Sequence, residues 1–159
     1  MARVRMIAIG KLKETYLLQA QAEYVKRLKP YLNLELEEVS DLPSPDGASP
    51  AQEKQVRVRE GASIKNLLRP KEYLVTLDRR GKELSSLEFA AFLNERAIVG
   101  DAVTFVIGGS LGLADELIKS AQLNWSFSKL TFPHQLFRIM LLEQIYRAVK
   151  INRREKYHK

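Results

Sequence analysis

Apolar positions along the chain change their period several times, and each change marks an element. Val4–Ile9 is a short apolar, β-branched run closed by Gly10, which predicts a buried strand. From about Glu14, the residues Leu17, Ala20, Tyr24 and Leu28 recur at three- and four-residue spacing until Pro30, the pattern of a helix with one buried stripe. Leu34 and Leu36 then alternate with Glu35 and Glu37, as in a half-exposed strand. Ser40–Pro50 holds three prolines and a glycine and reads as a loop. Its end also starts a helix: Ser49 can cap, Pro50 suits the first turn, and Gln52 can answer from the third position. That helix is expected to reach about Leu68, before Pro70.

The pattern then repeats in kind. Tyr73–Leu77 predicts a strand, followed by a polar turn at Asp78-Arg-Arg-Gly-Lys. Ser85 and Glu88 spell a second capping box, with Leu84 and Phe89 placed to staple it. Ala102–Ile107 is a continuous apolar run ending at Gly108-Gly109, as expected of a strand covered on both faces. A short helix near residues 114–121 leads to a strand at Trp125–Ser128, and a long helix runs from Pro133 to about Arg154. Strands alternating with helices predict an α/β fold with a mostly parallel sheet flanked by helices. The last helix is apolar around most of its circumference, from Leu136 to Ile151. A sheet covers only one side of a helix, so the second cover is expected to be another copy of the chain, with Ile145 and Val149 in a homodimer interface; the alternative is that the long N-terminal part of the same chain folds over it.

Composition narrows the class. The 159 residues are 45% hydrophobic and 28% charged, which suits a folded single domain over 1–159 and argues against global disorder. Cysteine is absent, which removes disulfides, thiolate metal sites and cysteine nucleophiles. The N-terminus lacks a full signal-peptide pattern and no apolar stretch is long enough to span a bilayer, so a cytoplasmic protein without a membrane partner is expected. The 26 Lys and Arg outnumber the 19 Asp and Glu, for a net charge of +7. Much of the excess lies in Arg147, Lys150, Arg153, Arg154, Lys156 and Lys159, a cationic tail suited to phosphates.

Candidate chemistry sits first at Gly108-Gly-Ser-Leu-Gly112, between a strand and a helix. The glycine spacing fits neither a dinucleotide fingerprint nor a P-loop. It does match the nucleophile elbow of serine hydrolases, with Ser110, Asp115 and His134 in the right order, although Asp115 would lie on the helix leaving the elbow. A glycine loop that lets backbone approach a flat ligand is a competing reading, and glycines that serve only a tight turn with no ligand are a third; for the chain as a whole, a non-catalytic basic RNA-binding module is a further alternative. The two histidines, His134 and His158, form no metal-ligand pattern, so no metal is expected.

Four segments carry a resemblance: Phe105-Val-Ile-Gly-Gly-Ser-Leu-Gly, Ser126-Phe-Ser-Lys-Leu-Thr-Phe-Pro-His-Gln-Leu-Phe-Arg, Leu142-Glu-Gln-Ile-Tyr-Arg-Ala and the terminal Tyr157-His-Lys. Together with Gly10-Lys-Leu-Lys, they make the chain similar, over essentially its whole length, to the bacterial 23S rRNA (pseudouridine-N3)-methyltransferase family of the SPOUT superfamily. The resemblance implies a C-terminal trefoil knot, which general topology rules would not suggest. It implies S-adenosylmethionine as methyl donor, held by Leu77, Gly108 and the loop Phe127, Ser128, Lys129, Leu130, Thr131 and Phe132. It implies methylation of N3 of a pseudouridine in 23S rRNA, on the ribosome, by a homodimer through the C-terminal helix. Arg154, Tyr157 and His158 are the catalytic candidates, His158 as a proton acceptor. Lys11, Lys13, Arg79, Arg80 and Lys82 extend the expected RNA-binding surface.

Overall fold

The computed structural model describes all 159 residues. Five parallel strands, β1 (Ala2–Ile9), β2 (Leu32–Val39), β3 (Glu72–Glu83), β4 (Ala102–Ile107) and β5 (Leu123–Ser126), form one sheet in the order β2-β1-β4-β3-β5. The helices are α1 (Thr15–Leu28), α2 (Pro50–Leu67), α3 (Ser86–Val99), α4 (Asp115–Ser120) and α5 (His134–Asn152). The fold is α/β, as the alternation of elements predicts. Both capping boxes form: Ser49 accepts from Gln52 N, Ser85 accepts from Glu88 N, and each third-position side chain accepts from its cap's own N–H.

Strand β1 shows why both sheet faces must be covered. Val4, Met6 and Ala8 point into a core shared with α3 and α5, while Ile7 and Ile9 point into a second core shared with α2 and α4. Period-two side chains that are apolar on both faces need helices on both sides. Helix α5 lies on the first face, packed between the sheet, α1 and α3.

That packing overturns the argument for a dimer from the pattern of α5. Leu141, Leu142 and Ile145 are fully buried within one chain, and Val149 nearly so. The second cover is α1, with Leu17 against Ile139 and Tyr24 against Tyr146, together with Phe89 and Leu93 of α3. Ile145 and Val149 belong to the core of the single chain. Leu136 is the apolar α5 residue that stays exposed.

Two other boundaries move. Asp78–Lys82 is not a turn that ends the third strand, since β3 runs to Glu83. Leu77 and Lys82 are both register partners of Trp125, so the segment between them bulges around β5. A Cβ on Gly81 would lie 2.5 Å from Asn124 O, so this wrap requires glycine. Ser126 Oγ lies 3.0 Å from Arg79 O, and Asn124 Oδ1 accepts from Thr76 Oγ1 at 3.0 Å. Such close wrapping around β5 is consistent with the implied knot. The fifth strand ends at Ser126, two residues early, because Phe127 and Ser128 turn away toward α5.

Candidate active site at the strand ends

The C-terminal ends of β3, β4 and β5 meet at one edge of the sheet, where open α/β folds leave a crevice. Here the crevice is a cavity of about 890 Å³. Leu77 and Ile107 form its floor. The Gly108–Leu113 loop closes one side, and Phe127, Ser128, Leu130, Thr131, Phe132 and Phe137 close the other. Asp78, Arg79, Arg80, Asp115 and Arg57 of α2 also line it and add charge.

Each wall has a physical cause. Trp125 and Phe127 lie 4.6 Å apart, as do Phe127 and Phe137, so an aromatic row ties β5 to the start of α5. The 127–133 loop braces itself, with Ser128 Oγ accepting from Leu130 N and Thr131 Oγ1 accepting from Arg79. On the opposite side, Gly112 N donates to Gly109 O, and a Cβ on Gly108 would sit 2.7 Å from Gly112 C. Glycine at 108 is therefore demanded by the loop's own backbone. The indole N–H of Trp125, in the cavity wall, is buried without a partner.

Leu77, Gly108, Phe127, Ser128, Leu130, Thr131 and Phe132, expected from sequence to bind the cofactor, are thus brought together around one cavity. Lys129 is not among them, since its side chain stands outside in solvent. The catalytic candidates lie elsewhere. Tyr157 packs on Tyr146 at 4.9 Å and donates to Glu143 Oε1 at 3.1 Å, and His158 Nδ1 lies 3.1 Å from Arg147 Nη1. Glu143 and Arg147, which hold the two side chains, lie six and ten residues beyond Phe137 of the cavity wall, a rise of roughly 9 to 15 Å at about 1.5 Å per residue, and neither Tyr157 nor His158 lines the cavity of its own chain. Burial and the neighbouring Glu143 carboxylate push the Tyr157 phenol up to about 12. It stays protonated near neutral pH and acts as a donor.

Ser110, Asp115 and His134 all border the cavity, yet no hydrogen bond links them. Asp115 faces Arg80 at 3.5 Å, and α4 starts five residues after Ser110, so the sharp strand-to-helix turn of an elbow is missing. No group of three or more His, Asp or Glu side chains is placed to hold a metal ion. No helix is long and apolar enough to cross a membrane.

Behind the glycine loop lie groups without a local sequence signal. Arg138 of α5 is 1% exposed; it donates to Glu38 at 2.7 Å and to the carbonyls of Ile9 and Gly10 at 3.0 and 2.6 Å. It pins the start of α5 to the end of β1. Beside it, Asp41 approaches both Gly10 and Gly109 and also meets Glu60 of α2. Glu60 is buried and accepts from Leu42 N at 3.1 Å. Burial, reinforced by Asp41 and opposed by that N–H, pushes its carboxyl up to about 7.

Comparison with known proteins agrees with this geometry. The family described as "Predicted SPOUT methyltransferase" matches residues 2–158. A protein of Symbiobacterium thermophilum named ribosomal RNA large subunit methyltransferase H is 54% identical, over 99% of each chain. One of the same name from Desulfitobacterium hafniense is 46% identical over the whole of both chains. The crystal structure of a probable methyltransferase from Bordetella pertussis Tohama I shares the fold, with a TM-score of 0.60 and 14% identity over 93% of this chain and 95% of that one. The family match over nearly the whole chain, joined to a cavity at the ends of β3, β4 and β5, makes this chain a member of the SPOUT methyltransferase family.

Proposed function

We propose that this methyltransferase acts in the cytoplasm on 23S rRNA in the assembled ribosome, transferring a methyl group from S-adenosylmethionine to N3 of a pseudouridine. The observation that carries the reading is the cavity, because seven of eight residues expected to hold the methyl donor line it. The chemistry of the wall suits that molecule. Leu77, Phe127 and Phe132 offer apolar faces to an adenine ring, backbone amides of the 108–112 loop offer hydrogen bonds, and Asp78 and Arg57 offer opposite charges to an amino-acid zwitterion. When bound, it supplies an electrophilic methyl group on sulfur. The chain's task is to hold that group in line with a nitrogen nucleophile and to keep the nitrogen deprotonated, which needs neither thiol nor metal.

The names of the full-length relatives support ribosomal RNA as the substrate, as does the net charge of +7. The separation of tail and cavity supports a homodimer in which the tail of one protomer completes the cavity of the second. Exposed Leu130, which lines the cavity, and exposed Leu136, in the first turn of α5, offer apolar surface for that contact. Titration calorimetry with S-adenosylmethionine should show saturable binding. Ribosomes lacking the modification should gain one methyl group at N3 of a pseudouridine, whereas free 23S rRNA should gain little. Absence of binding, with esterase activity lost in Ser110→Ala, would instead establish the hydrolase.

A further inference from the structure

The tail is not a loose end. Arg154 adopts φ 56°, and Glu155 N reaches back to Lys150 O, which reverses the chain onto α5. Glu155 is held by Lys150 and by Tyr31 Oη. Tyr157 Oη and Arg147 both donate to Glu143 Oε1, at 3.1 and 2.6 Å, and the guanidinium also covers the Tyr157 ring at 4.8 Å. Arg147 Nη1 then faces His158 Nδ1 at 3.1 Å. A guanidinium is permanently protonated and has no acceptor, so Nδ1 must be the acceptor in this contact. The ring proton consequently sits on Nε2.

We propose that Glu143 and Arg147 are positioning residues that fix His158 as its Nε2–H tautomer, so that His158 serves methyl transfer as a hydrogen-bond donor rather than as a base. The inference rests on the function proposed above. N3 of the substrate base lies between two carbonyl groups, and when it loses its proton the negative charge spreads onto both oxygens. An N–H aimed at one oxygen stabilises that anion and raises the fraction of N3 ready to react. The N3–carbon bond forms as the methyl–sulfur bond breaks, the bonding pair remains on sulfur as a neutral thioether, and the N3 proton leaves to water. In this arrangement His158 has no free ring lone pair, since Nδ1 is engaged and Nε2 carries hydrogen. That replaces the proton-acceptor role expected from sequence.

Long-range proton–nitrogen NMR of the nitrogen-15-labelled full chain reads the tautomer directly. With two histidines in the chain, His158→Gln assigns the signals. The expected result is the Nε2–H pattern for His158 at neutral pH, converting in Arg147→Ala to a mixture of tautomers. In ribosome methylation, Arg147→Ala should lower kcat by up to about a hundredfold, with KM for ribosomes changed less than about twofold. Arg147→Lys, which still donates, should recover part of the loss. A merely structural anchor predicts instead a raised KM and an unchanged tautomer. The Nδ1–H pattern in the wild type, or an Arg147→Ala protein with unaltered His158 signals, overturns the proposal. The tautomer is read without substrate, so a wild-type protein that shows the Nε2–H pattern but methylates no ribosome refutes the proposed function and leaves the positioning intact.

Discussion

At its start, α5 presents Phe137 and His134 to a cavity walled by strand ends, glycines and aromatic rings; at its far end it carries Glu143, Arg147 and a docked cationic tail. The first region is held by burial: Arg138 anchors it, and the Phe127–Phe137 contact closes it. The second is held by hydrogen bonds and cation–π contacts among half-exposed side chains. A change at the cavity should therefore register in stability and methyl-donor binding together. A change in the tail should register mainly in turnover.

The largest expected effect on stability is from Arg138→Met. It leaves the Ile9 and Gly10 carbonyls buried without their donor and should cost about 3 kcal/mol in urea denaturation. Gly108→Val should cost about 2 kcal/mol, since its branched side chain meets the Gly112 backbone, and calorimetry should show weakened S-adenosylmethionine binding as well. An unchanged melting temperature in this variant would mean that the loop moves freely and does not shape the cavity.

Deleting Tyr157–Lys159 should cost only about 1 kcal/mol, from the Tyr157–Tyr146 and Tyr157–Glu143 contacts, and should leave methyl-donor affinity within about twofold. An effect that depends on pH is expected from Glu60→Gln, which mimics the protonated acid. The folded-state carboxyl is raised to about 7 from 4.5, so the contribution of Glu60 is fully present below about pH 4.5 and is lost as pH rises through about 7. Glu60→Gln should therefore match the wild type in melting temperature near pH 4.5 and exceed it by a few degrees at pH 8.

Much of the fold follows from local chemistry that a sequence displays. The two capping boxes, the proline stops and the two-faced apolar run of β4 act within a few residues, and the helices and strands fall where those signals put them. What depends on distant parts of the chain was not legible. Polar Asp78–Lys82 reads as a turn because no local pattern reveals β5 lying beside it. The apolar circumference of α5 demands a second cover but does not choose between a second copy and the N-terminal part of the same chain, and it is α1 that folds over it. Of the cavity, the 127–132 loop and Leu77 came from family resemblance, while strand ends alone gave only the location. Arg138 of α5 and Asp41, in the loop after β2, both approach Gly10, and Asp41 meets Glu60 of α2; these residues are distant in sequence, so no spacing rule joins them. Lys129 shares the loop with residues that line the cavity, but its own side chain is exposed and does not line it.

The central claim is that cavity and tail serve one reaction from two protomers, and mixing tests it most directly. Phe132→Asp should empty the cavity of methyl donor, and deletion of Tyr157–Lys159 should remove the tail, so each variant alone should be nearly inactive on ribosomes. Co-refolding them in equal amounts forms mixed dimers with one intact site, and activity should return to about a quarter of the wild-type value, as statistical pairing in a two-fold dimer requires. A mixture that stays as inactive as its components would contradict the account, because cavity and tail would then have to belong to the same chain.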